Sequence, residues 1–111
     1  MKLLNSANVI PVSTSHKSDL LKQVLLKNGE VPHLTQCAIA TISLGQVVEK
    51  HSHKDMYEIF FVLKGDGKLI VNAEEHRVTK GDSFTIEPNE PHSIINDSNE
   101  DLVLYYFGIV E

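Results

Sequence analysis

The sequence predicts an all-β, single-domain fold of the sandwich or barrel kind, and three observations carry that reading. Beyond residue 45, apolar runs of strand length are separated by turn signals at regular intervals: Lys64-Gly65-Asp66-Gly67, residues 73–75, Lys80-Gly81-Asp82, the loop 88–91 with a proline at each end, and the polar stretch 96–101. The clearest run, residues 57–63 (YEIFFVL), alternates as a strand should. Glu58, Phe60 and Val62 share one face and Ile59, Phe61 and Leu63 the other, because successive strand side chains point to opposite sides. A length of 111 residues suits one modest core and is too short for two.

Residues 1–30 are expected to form an arm or strand covering the barrel, and residues 31–111 the barrel domain itself. Within 19–27 (DLLKQVLLK), Leu21, Val24 and Leu25 fit a helix face, while the same stretch also fits strand alternation. The strand reading is adopted, with Asn28-Gly29 as its hairpin turn. Residues 34–43 (LTQCAIATIS), rich in Thr and Ile and without charge, read as the next strand. After 57–63, strands are expected at 68–72, 76–79, 83–87, 92–96 and 102–110.

Ten basic residues stand against fifteen acidic ones, a formal net charge of -5, with no basic cluster. Nucleic acid and anionic membranes are therefore not expected partners. No apolar run reaches membrane-spanning length, and the first residues lack the apolar core of a signal peptide. The single cysteine, Cys37, has no partner for an intrachain disulfide and reads as a small buried hydrophobe. The expected setting is cytoplasmic.

Chemistry concentrates between residues 45 and 65 (GQVVEKHSHKDMYEIFFVLKG). His51 and His53, one residue apart on an extended segment, project to the same side, and after a short polar bend Glu58 on the following strand can face them. Two imidazoles and a carboxylate form a ligand set for a divalent transition ion. Alone, the pair also reads as two solvated histidines beside a strand end. A second stretch, residues 81–96 (GDSFTIEPNEPHSIIN), supplies His92.

Together these two stretches resemble the paired sequence motifs of the cupin superfamily. Gly45, His51, His53, Glu58 and Gly65 fall in the register of the first motif, and Gly81, His92 and Asn96 in that of the second. The departures are Glu87, where the pattern usually has proline, and Asn89, where it usually has glycine; asparagine is the residue that, after glycine, most readily takes a positive φ. Fifteen residues, 66–80, separate the motifs, as in compact single-domain cupins. The resemblance covers about half the chain and implies a cupin jelly-roll β-barrel, or double-stranded β-helix.

The resemblance further implies that His51, His53, Glu58 and His92 bind one divalent transition metal per chain: iron, manganese, nickel, cobalt or zinc. A metal-free barrel, its histidines bonded to each other and to Glu58, is the competing reading. Gln36, Tyr57, Phe60 and Tyr105 are the expected substrate contacts, with His33 and Tyr106 as further polar groups able to reach a pocket. His16, His76 and Arg77 read as solvated surface. By analogy, the function is a metal-dependent enzyme of dioxygenase, isomerase or lyase type acting on a small polar metabolite. The alternatives are a non-catalytic module binding a sugar or carboxylate, and a barrel kept for structure or partner contact. The apolar outer sides of 57–63 and 102–110 need cover, from the N-terminal segment or from a second chain, and a homodimer is expected.

Overall fold

The computed structural model describes residues 1–14 and 19–111; His16 lies outside the described residues. Among the described residues ten strands form two sheets: β1 (Val12–Ser13), β2 (Leu21–Leu26), β3 (Leu34–Ile42), β4 (Val47–His51), β5 (Met56–Lys64), β6 (Asp66–Val71), β7 (Glu74–Thr79), β8 (Ser83–Ile86), β9 (His92–Ile95) and β10 (Leu102–Val110). One sheet runs β1-β2-β3-β10-β5-β8 and the other β4-β9-β6-β7. Every pairing is antiparallel. The result is a jelly-roll barrel. Residues 21–26 take the strand reading and pair with β3, and β1 pairs with β2 in turn, so part of the N-terminal segment extends the larger sheet.

Alternation fixes what faces inward. On β5, Glu58, Phe60 and Val62 are buried, while Tyr57, Phe61 and Leu63 are exposed. On β10, Leu102, Leu104 and Gly108 are buried. Phe60, Val62, Leu102 and Leu104 build one core between the sheets with Leu20, Ile42, Leu69, Val78, Ile86 and Ile94. Fully burying a side chain such as Ile42, Val62, Leu102 or Leu104 contributes about 1.5–3 kcal/mol. The outer face of β5 and β10 stays apolar and open, with Tyr57, Phe61, Leu63 and Ile109 all exposed.

Several turns are tighter than the sequence predicts. Strand β5 runs through Lys64 and β6 starts at Asp66, so the expected four-residue turn shrinks to Gly65. Gly65 has φ 84°, and a Cβ there would run into the backbone carbonyl of Asp101. Only glycine fits both constraints. The next hairpin turns on Asn72-Ala73, both at positive φ (50° and 67°), so β7 begins at Glu74 rather than 76. Asn96 ends β9 as a fully buried clamp: its Nδ2 donates to the carbonyls of Ile42 and Glu100, and its Oδ1 accepts from the backbone N–H and hydroxyl of Ser98. Loop 97–101 is thereby tied to the end of β3.

Candidate metal centre

Strand pairing brings the first two ligands together. β4 lies beside β9 with His51 opposite His92, after a register shift between Val48 and His51, and the two rings sit with centroids 4.3 Å apart. His53 lies past the end of β4, in the connection to β5, so the extended segment that carries the His-x-His pair is a strand only as far as His51. Its place is held by the backbone: the Asn89 N–H donates to the His53 carbonyl at 2.6 Å. Asn89 takes φ 66°, the conformation expected of it in the glycine slot. Glu58 reaches the same point from β5 because its side chain is in the inward phase of that strand.

The ligand atoms of His51, His53, Glu58 and His92 lie within 4.8 Å of one another. Glu58 Oε1 is 3.1 Å from His53 Nε2 and 3.3 Å from His92 Nε2. All three of these atoms are buried and none has a hydrogen-bond partner. Buried polar atoms are seldom left unpaired, and three converging on one point call for a common partner. A divalent cation satisfies all of them at once, and three imidazoles with one carboxylate suit a transition ion. The four residues thus form a cluster that can hold a metal.

The surrounding bonds orient the ligands. Nδ1 of His51 donates to the Glu49 carbonyl at 2.8 Å, and Nδ1 of His92 to the Glu90 carbonyl at 2.9 Å. A carbonyl only accepts, so in the neutral ring Nδ1 holds the proton and Nε2 presents its lone pair to the cluster. The Glu90 carboxylate in turn accepts from the Glu87 N–H and from Asn72 Nδ2, both at 2.8 Å, fixing the loop that carries His92. Burial pushes the Glu58 carboxyl up, but the contact with His92 and the nearby His53 and His51 rings outweigh it and hold it below the usual carboxylate range. For His92, burial pushes down, while Glu58 and the Glu90 carbonyl win and raise it.

The cluster opens into a cavity of about 850 Å³ between the sheets, lined by His51, Glu58 and His92 and then by a largely apolar wall that includes Ile42, Phe60, Ile94, Leu104 and Tyr106. Of the expected substrate contacts, Phe60 faces this cavity. Gln36 sits opposite Gly108 on β10, which is also opposite Glu58 on β5; its Oε1 is buried without a partner, but it is not part of the cavity wall. Tyr57 and Tyr105 are in the outward phase of their strands and do not contact the cavity: Tyr57 is exposed, and the Tyr105 hydroxyl meets Cys37 Sγ at 3.0 Å on the far side of the sheet. His33 lies at the turn before β3, exposed. The tyrosine that does face the cavity is Tyr106, whose phenol is pushed up to about 12 by burial and by Glu58. Arg77 pairs with Asp97 and Asp66 on the exposed side of β7, and no helix among the described residues is long and apolar enough to cross a membrane.

Known proteins place this architecture. A solved structure from Thermotoga maritima, described as a predicted oxalate decarboxylase, superposes with a TM-score of 0.91 over 99% of this chain and 100% of its own, at 23% identity. An uncharacterized protein of Methanocaldococcus jannaschii is 35% identical over 92 residues, 73% of this chain and 74% of its own length. An oxalate-binding protein of Thermotoga maritima is 34% identical over 58 residues, 52% of this chain and 48% of its own. The Cupin domain family model matches residues 38–108, a span that holds all four clustered side chains. With both motifs, the two-sheet barrel and that match in agreement, the chain belongs to the cupin family.

Proposed function

We propose that the protein is a metal-dependent enzyme acting on a small carboxylate-bearing metabolite, with one divalent transition ion per chain held by His51, His53, Glu58 and His92. The observation that carries this reading is the convergence of buried, unpartnered Nε2 and Oε1 atoms at the edge of an open cavity. Four protein ligands leave room on a six-coordinate ion, and a cluster with free positions facing a cavity is the catalytic rather than the structural kind. An ion bound there would polarise an oxygen of the ligand, and iron would add dioxygen chemistry. The chain's own part is to exclude water with the wall of Ile42, Phe60, Ile94 and Leu104 and to keep Glu58 ionised as a ligand. Two relatives whose names refer to oxalate make a small carboxylate the first ligand to try.

A non-catalytic carboxylate-binding module is the second reading. It is favoured by the inner wall, where among the described residues the phenol of Tyr106 is the acid that stands beside the ligands; Asp19, Glu49 and Lys50 lie exposed. The test is to incubate metal-loaded and chelator-treated protein with a panel of small carboxylates, oxalate first, and follow each by NMR. Product that forms only with metal supports the enzyme. Saturable metal-dependent binding without product supports the module, and no binding in either state contradicts both. In this reading the protein acts as a homodimer, its second chain covering the apolar outer face of β5 and β10.

A further inference from the structure

Tyr106 has a donor that the protein does not use. Its ring is fixed: strand register sets Tyr106 opposite Phe60 and Phe60 opposite Phe84, and the three rings stack across β10, β5 and β8 with centroids 5.4 and 4.7 Å apart and interplanar angles of 19° and 15°. On its other side stands Ala38, fully buried. The side chain lines the same cavity as Glu58 and His92, yet its hydroxyl has no hydrogen-bond partner among the described residues. Tyr106 is half-buried on the cavity side, so in the free protein this O–H meets the cavity's solvent, and the ring stack holds it where an oxygen of a ligand can take the solvent's place.

The size and chemistry of that space narrow the ligand. At about 30 Å³ per water molecule, the 850 Å³ cavity has room for more than twenty waters, whereas oxalate has six heavy atoms. Past the cluster, the deep wall is Ile42, Phe60, Ile94 and Leu104, which gains nothing from a small dianion and much from apolar contact. We propose that Tyr106 is the specificity-determining donor of this site, and that its ligand is an acid with three parts: a carboxylate placed at the cluster, a neighbouring oxygen that accepts from the Tyr106 hydroxyl, and an apolar body laid on the wall of Ile42, Phe60, Ile94 and Leu104. This rests on the metal-and-carboxylate reading above and extends it from oxalate-sized ligands to larger 2-oxo or 2-hydroxy acids.

The test is calorimetric titration of metal-loaded wild type and Tyr106→Phe with pyruvate and with phenylpyruvate, two 2-oxo acids that differ in their apolar body, with metal content measured on the same samples. Phenylalanine keeps the stack on Phe60, so a thermal melt of the variant should match wild type. Phenylpyruvate is expected to bind wild type about tenfold or more tighter than pyruvate. Tyr106→Phe is expected to weaken both by about tenfold with metal content unchanged. Equal affinities of wild type and variant at equal metal content would overturn the donor role and leave the metal reading standing. Equal affinities of the two acids for wild type would overturn the apolar body. A wild type that retains no metal when metals are supplied would overturn both this inference and the reading beneath it.

Discussion

Nε2 of His92 lies 3.3 Å from Oε1 of Glu58, and neither atom makes a hydrogen bond. The pair is close enough to couple electrostatically and is aimed for a shared third partner. In metal-free protein this coupling has a definite pH signature. Glu58 is held below its ordinary 4.5, so its contribution is present above that value and is lost as pH falls through the lowered one. His92 is raised above 6.5, so its contribution is full below 6.5 and is lost as pH rises through the raised value. Both are complete only between these limits. Thermal melts of chelator-treated wild type and His92→Gln across pH should therefore differ most between 4.5 and 6.5. A difference that is flat with pH would contradict the coupling.

The Glu90 side chain acts on the site without touching it. Its carboxylate pins the loop before β9, and its carbonyl holds the His92 ring. Glu90→Ala removes the two carboxylate contacts and keeps the carbonyl, so the ring loses its support rather than its bond. Affinity for zinc, measured by competition with a chelating dye, should fall about 10–100-fold. Unchanged affinity would show that the loop holds its shape unaided.

The four clustered residues were legible because two spaced motifs placed them, and β5 was legible because Glu58 marks which of its faces is inward. No such marker exists on β10. Residues 102–107 are apolar or aromatic on both faces, so alternation gives a period without a phase, and Tyr105 was as good a pocket candidate as Tyr106. The signal that separates them is the register with β5, which sets Tyr106 opposite the inward Phe60. Residues 19–27 were ambiguous for a related reason: their leucines satisfy both periods, and pairing with β3 decides. The turn at Asn72-Ala73 was misplaced because alanine seldom takes a positive φ, and only the hairpin geometry imposes it. His53 could not be placed from alternation because a loop contact from Asn89, distant in sequence, positions it.

Asn96 is a structural residue of the second motif. Asn96→Ala takes the amide donor from the buried Ile42 carbonyl, at a cost of about 1–3 kcal/mol, and one of two side-chain donors from the Glu100 carbonyl, which keeps the Ser98 hydroxyl. Asn96→Asp sets a carboxylate against the same two oxygens and should destabilise at least as much. Urea unfolding is the check: both midpoints should drop with unchanged slope. A midpoint equal to wild type for Asn96→Ala would mean that water replaces the amide.

The open face of β5 and β10 gives the dimer its test. Phe61 is 43% exposed, points away from the core and can be replaced without disturbing it. Light scattering should give a dimer for wild type and a monomer for Phe61→Asp with the same melting temperature. A monomeric wild type would contradict the proposal.

The central claim is that His51, His53, Glu58 and His92 hold one ion, and elemental analysis tests it most directly. Wild type, His51→Ala and His92→Ala are each purified from medium supplied with several metals. The account predicts one transition ion per chain in wild type and its loss from both variants, with the identity of the ion separating oxygen-dependent chemistry from isomerisation, lysis or binding. Metal absent from wild type, or metal content unchanged by His92→Ala, would contradict it.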